Sequence, residues 1–264
     1  MLAQMSLALR DLIRGLKLWH VWLFLAWQDV ISKYRRSILG PLWIAGGMVA
    51  TSLAISISWG AMSGQPLHDF LPFAMGGILV WTHFVGILVS EAPELFVAAQ
   101  GSIRNSAFPF MFYVLRFTTR SIIVFGHNLL VFWVMTLLVG NAQIPSWEII
   151  PGLLVLTLVV LALAPVVGMV SARYRDLRFM LPFLAQILFF LTPIFWHPNT
   201  LKGAKLAFIH YNPLYYLLEI VRTPLLGQAV PEPIWVVALS ILAVSILIWF
   251  FAFSLARRRI AFWI

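Results

Sequence analysis

Apolar residues along this chain come in long blocks, separated by short segments that hold almost all of the charge. The blocks predict six membrane-spanning helices, at 41–63, 70–96, 112–139, 149–171, 179–196 and 234–256. Each approaches or exceeds the roughly 20 apolar residues that cross a hydrocarbon core as helix. Three other stretches follow a different pattern. Residues 7–36 mix Trp19, Trp22 and Trp27 with a basic flank, and their apolar run is too short to span. This predicts an amphipathic helix lying in the membrane interface. Residues 97–111 form a short element bounded by Gly101 and Pro109. Residues 197–233 are expected to dip back into the outer face as one or two short helices. There Asn212 and Pro213 make an N-cap followed by proline in the first turn. Glu219 and Arg222 stand three apart and can pair on one helix face. Pro224, Gly227 and Pro231 break the exit. Pro41 likewise stands where a first span can begin.

Composition strengthens the membrane reading. Of 264 residues 62% are hydrophobic and 10% charged, and the mean hydropathy is +0.95. A soluble domain carries about 25% charged residues. The polar surface needed to cover a water-soluble globule is missing, which excludes a soluble enzyme. The fold class expected is therefore all-α integral membrane, a single bundle over 41–256 with an N-terminal interface helix. Residues 18–27 after Arg10, Arg14 and Lys17 faintly resemble a signal peptide, but no small-residue cleavage site follows, so the segment is expected to be retained.

The net charge of +9 does not point to nucleic acid, because the basic residues sit in short segments between spans. On one face lie Arg10, Arg14, Lys17, Lys33, Arg35, Arg36, Arg104, Arg116, Arg120, Arg173, Arg175, Arg178 and Arg257 to Arg259, which is all but three of the 18. The other face holds Lys202, Lys205 and Arg222. The positive-inside rule then puts both termini in the cytoplasm.

Candidate chemistry is sparse. No Gly-Lys pair occurs, so there is no phosphate-binding loop, and no H-E-x-x-H or G-x-S-x-G motif is present. The chain has no cysteine, and its six histidines lack metal-ligand spacing. Acids within spans are few, with Glu91 and Glu94 near one end of the second. Ion-coupled transporters place ionisable groups at the midplane, so any energy for transport is expected from another chain. The row Ser52, Ser56, Gly60 and Gly64 suits either packing within the bundle or a subunit seam or pore wall. His127 and Asn128, mid-span, suit interhelical hydrogen bonding or a role in transport. Phe179, Phe183, Gln186 and Phe190 share one helical face and suit either core packing or sliding contact with sugar rings. The run Lys33, Tyr34, Arg35 and Arg36 is explained by topology alone, with lipid headgroups or a docked partner as further readings.

The stretch Gln28 to Trp43 (QDVISKYRRSILGPLW) resembles the signature that enters the first span of ABC-type polysaccharide-exporter permeases. The resemblance continues at Tyr174-Arg175-Asp176-Leu177, at Phe189 to Trp196, at Asn212-Pro213-Leu214 through Glu219 and Arg222, and at the ending Arg257 to Ile264, which looks most like the O-antigen branch. Ala107 stands where family members often carry a basic residue. The resemblance implies a permease with six spans, an interface helix and short periplasmic gate helices. Two copies would pair with two ATPase subunits that bind ATP and Mg, so the chain itself holds no cofactor and is not an enzyme. Arg104, Asn105, Ser106, Phe108 and Pro109 would be the coupling element on the ATPase. Lys33, Tyr34, Arg35 and Arg36 would border that partner and the access route of a lipid headgroup. Asn212, Pro213, Tyr215, Glu219 and Arg222 would form the periplasmic gate. Trp43, Ser52, Ser56, Phe179, Phe183, Gln186 and Phe190 are the expected channel lining. The expected substrate is a polyprenyl-diphosphate-linked O-antigen, moved across the bacterial inner membrane. Capsule or teichoic-acid export is the near alternative. A membrane-embedded glycan-modifying enzyme, and a passive channel or secondary transporter, are the distant ones.

Overall fold

The computed structural model describes residues 2–35, 42–197 and 209–264, and every regular element among them is helical. Pro41 and Arg36 lie outside the described residues, as do Lys202 and Lys205. The N-terminal stretch is two helices where one was predicted, α1 (Leu2–Lys17) and α2 (Trp19–Tyr34). Leu18 leaves helical geometry (φ −90°, ψ 27°), and the Trp22 indole donates to the Gly15 carbonyl across the bend, at 3.1 Å. In α1, Ala8, Asp11 and Gly15 are buried at helical spacing, so this helix has one face against the bundle.

Next come α3 (Leu42–Ser63) and α4 (Leu67–Val80), which runs through a π-helical turn (Trp81–Val85) into α5 (Gly86–Ser90). A 3-10 turn (Ala92–Glu94), α6 (Leu95–Ala98) and α7 (Gln100–Asn105) connect to α8 (Phe110–Leu138). The rest of the chain forms α9 (Ile149–Arg173), α10 (Leu177–Leu191), α11 (Pro213–Leu225) and α12 (Glu232–Ala256). A 3-10 turn (Arg257–Arg259) leads to α13 (Ile260–Trp263).

Five of the predicted spans are present as helices long and apolar enough to cross a membrane: α3, α4 with α5, α8, α9 and α12. The sixth, expected over 179–196, ends early. Helix α10 has 15 residues, or about 22 Å at the α-helical rise, against about 30 Å of hydrocarbon. Its end follows from Pro193. The residue before a proline is driven out of the α region, and Thr192 is extended (φ −92°, ψ 138°). The chain then folds inward, burying Thr192, Ile194 and Phe195.

The span made by α4, the π-helical turn and α5 is the centre of the bundle: 78% of its most apolar stretch is buried by the chain itself, against 22% for α8 and 28% for α3. Lipid is as apolar as leucine, so helices associate here through close approach and polar pairs. Two glycines make the approach possible. A Cβ at Gly77 would lie 2.3 Å from the Ile194 carbonyl oxygen, and one at Gly152 would lie 2.3 Å from that of Ile220. The row Ser52, Ser56 and Gly60 is also buried within the chain, with Gly60 beside Phe70 of α4.

A polar pair lies at the π-helical turn. Ser121 donates to the His83 carbonyl at 2.5 Å, and Asn128 Nδ2 lies 2.6 Å from His83 Nε2. Asn128 thus makes the interhelical bond expected of it. His127 instead bonds its own helix at the Ile123 carbonyl, 2.7 Å away, and stacks beside Trp27 of α2.

Candidate functional site

The connecting segments gather at two ends. At the basic end α1, α7, the start of α8 and the Arg257–Ile264 segment meet. Asp11 organises them: its Oδ1 accepts from the Met111 amide at 2.8 Å, and its Oδ2 accepts from Arg257 Nε at 2.5 Å. The Met111 amide belongs to the first turn of α8, where unsatisfied N–H groups favour a carboxylate. The Asp11 side chain is fully buried, and its charge is neutralised by the Arg257 guanidinium.

Helix α7 has no buried residue. The residues expected to couple to an ATPase are arranged around it. Arg104 donates to the Ile264 carbonyl at 2.8 Å, while Asn105 is exposed. Ser106 is extended (φ −133°, ψ 143°) and ends the helix. Phe108 stacks on Phe112 with centroids 4.3 Å apart, and Pro109 precedes the first residue of α8. Ser102 lies 3.1 Å from the Tyr113 hydroxyl.

Beside α7 a cleft of about 490 Å³ opens between α2, α5 to α6, and α8. Its walls carry two ion pairs one turn apart on α8. Arg116 holds Asp29 through two bonds of 2.7 and 2.5 Å, and Arg120 holds Glu91 at 2.6 Å. Bidentate pairs fix orientation as well as charge, so α2 is clamped to α8 at Asp29. Of the four residues expected at the lipid headgroup, Arg35 is exposed just after α2, and Lys33 and Tyr34 lie in its last turn. Arg36 falls outside the described residues.

The expected channel lining divides. Trp43, Phe179, Phe183, Gln186 and Phe190 are exposed, with Phe179 and Phe183 at 71% and 69%. Ser52 and Ser56 are buried. In α10 only Ala185 is buried, so the helix offers a broad apolar face outside the single chain.

At the opposite end stand the residues expected to form a gate. Asn212 caps α11, accepting from the Leu214 amide at 3.0 Å, with Pro213 in the first turn. Its amide group also donates to Thr192 Oγ1 at 3.2 Å. Glu219 and Arg222 pair, and Thr223 donates to Glu219 at 2.8 Å. Arg222 is fully buried, and its Nη1 donates to the carbonyls of Pro193 (2.8 Å) and Ile194 (2.9 Å). The break after α10 frees those carbonyls, and Arg222 satisfies them. Tyr215 is half-buried beside this pair, and burial, with the charge of Glu219 adding to it, pushes its hydroxyl up to about 12. Burial, with the Arg222 charge second, pulls His197 below its ordinary 6.5.

Sequence reasoning missed Asp11 and Glu148. Glu148 accepts from the Val230 amide (2.8 Å) and the Trp235 indole (3.1 Å), tying the exit of α11 to α12. The available signal was scarcity: in a chain with nine acids, one placed among apolar residues has to be paired.

The family model described as ABC-2 type transporter matches residues 20–226. Among characterised proteins the chain is similar to the O-antigen export system permease protein of Myxococcus xanthus. The two are 22% identical over 237 residues, which cover 88% of this chain and 89% of the relative.

Proposed function

The chain belongs to the ABC-2 type transporter family, and from that membership we propose that it is the membrane subunit of an ATP-driven exporter of lipid-linked polysaccharide, with O-antigen as the substrate. The observation that carries this reading is the similarity to an O-antigen export permease along most of both chains. Two copies would associate with two ATPase subunits, each binding ATP and Mg, because this chain carries no phosphate-binding loop of its own.

Position in the membrane follows from charge. The basic end, with both described termini, faces the cytoplasm of a bacterial inner membrane. There α7 offers an exposed helix for the ATPase. The clamped cleft stands beside it, and a diphosphate headgroup is to be admitted there, with the basic run of Lys33, Tyr34, Arg35 and Arg36 to attract it. The exposed aromatic face of α10 supplies a surface over which sugar rings slide once a second copy closes the channel. At the periplasmic end α11 is held shut by Arg222 against the break after α10, and its movement opens the exit. Hydrolysis in the ATPase, transmitted through α7, rocks the dimer. Capsule or teichoic-acid export is the near alternative, separated by the lipid found on accumulated glycan.

The test is chromosomal replacement by the Arg104→Ala/Phe108→Ala double variant. It removes the bond from Arg104 to Ile264 and the stacking of Phe108 on Phe112 while substituting no residue within the spans. Normal membrane insertion, loss of surface polysaccharide and accumulation of lipid-linked glycan inside are expected. Normal export from this variant would contradict the coupling role of α7.

A further inference from the structure

Two of the side chains expected to reach the ATPase already have partners within the chain, although Arg104 and its neighbour Asn105 are exposed. Arg104 is engaged by the Ile264 carbonyl and Phe108 by the Phe112 ring. These contacts fix where α7 stands and leave room on its outward surface for further anchors. Immediately beside α7 runs the segment from Arg257 to Ile264, and it is fastened at several points. Ile260 is fully buried and Ile264 is 9% exposed. Arg257 is paired with Asp11 of α1, and Arg173 of α9 lies over the Trp263 ring at 5.5 Å. Yet this firmly held segment projects Phe262, which is 87% exposed, flanked by exposed Arg258, Arg259 and Ala261. Among the described residues no carboxylate pairs with Arg258 or Arg259.

Protein interfaces are anchored by aromatic and arginine side chains, and an anchor already held in place loses little entropy on docking. We propose that residues 257–264 are a second docking element for the partner ATPase, in which Phe262 enters an apolar recess of that subunit and Arg258 and Arg259 meet carboxylates on its rim. The proposal rests on the reading of α7 as the ATPase-docking helix, and the bond from Arg104 to Ile264 makes the two elements one continuous surface. Arg104 is then a positioning residue, setting the angle between α7 and the segment that carries Phe262.

The chain has no cysteine, so Ala261→Cys provides a single reporter and leaves Phe262 in place. Its maleimide labelling is to be timed in lipid nanodiscs with and without the ATPase subunit. Fast labelling in the permease alone, slowed at least tenfold in the assembled complex, is expected. Phe262→Ala, which removes an exposed side chain, should weaken ATPase binding at least tenfold, and Phe262→Leu less. Slow labelling in the permease alone, as a membrane-buried segment would give, overturns the proposal. So does equal labelling in both states, or a Phe262→Ala complex of unchanged affinity. If the unsubstituted chain binds no ATPase, the transporter reading itself fails, and that result appears before any substitution is made.

Discussion

Arg222 lies over the ring of Phe73, its guanidinium carbon 4.0 Å from the centroid, and His197 stacks on the same ring at 3.8 Å. Around this stack Arg222 also holds Glu219 and two backbone carbonyls. One buried side chain therefore joins α4, the break after α10, and α11. Removing one member of a buried ion pair strands the other charge, at a cost of about 3–5 kcal/mol. Arg222→Met should lower the melting temperature of the purified protein accordingly. Glu219→Gln/Arg222→Met should recover part of the loss, because no unpaired carboxylate is left. A double variant as unstable as the single one would show that the carbonyl contacts, rather than the ion pair, carry the effect.

His197 gives the same end a pH dependence. Its pKa is lowered in the folded state by burial and by the Arg222 charge, with Glu219 opposing. The unfolded chain therefore takes up a proton first as pH falls. The stability is fully present above about 6.5 and is lost as the pH drops from there toward the lowered folded value. The melting temperature should fall between pH 7.5 and pH 5.5. His197→Phe, which keeps a ring against Phe73, should flatten that part of the profile.

Close approach is tested by glycine replacement. Gly77→Ala places a Cβ 2.3 Å from the Ile194 carbonyl oxygen, and overpacking of this kind costs about 1–3 kcal/mol or more. Gly126→Ala in α8 meets nothing within 4 Å and should be neutral or stabilising by about 0.5–1 kcal/mol, as for a helix-interior glycine. Melting of the two variants side by side separates contact from helix propensity.

Asp11 makes its own prediction at the basic end. Asp11→Ala leaves the Met111 amide without its acceptor and Arg257 without its counter-ion. Hydrogen bonds to charged groups contribute about 1.5–3 kcal/mol each. Arg258 and Arg259 are already exposed, but loss of the Asp11 contact should release this turn from its helical geometry, so limited trypsin digestion should clip the variant there faster than the unsubstituted protein.

What the sequence made legible was whatever depends on neighbours along the chain. The spans at 149–171 and 234–256 match α9 and α12 closely, because long apolar blocks leave a helix little choice of position. Asn212 caps α11 and Glu219 meets Arg222, since both relations lie within one turn. Pro193 ends α10 by a rule that acts on its immediate neighbour, but the path of the chain beyond it is not a local matter. The chain turns inward after Leu191 because Arg222, 28 residues from Ile194, is there to receive the freed carbonyl. The partners of Asp11 and Glu148 are likewise 100 and 82 residues away, beyond any periodic pattern. The split of 7–36 into α1 and α2 turns on the contact of Trp22 with Gly15, which apolar composition does not reveal. In the coupling element the motif singled out Arg104 and Phe108, but the direction each side chain takes is set by Ile264 and Phe112.

The central claim is that this chain works as one half of a membrane dimer driven by a separate ATPase. It is tested most directly by purifying the chain from native membranes in mild detergent and measuring the mass and ATP hydrolysis of the intact assembly. A complex of two copies with two ATPase subunits, active in hydrolysis, is the predicted result. A chain that runs alone, with no nucleotide-hydrolysing companion, would contradict it.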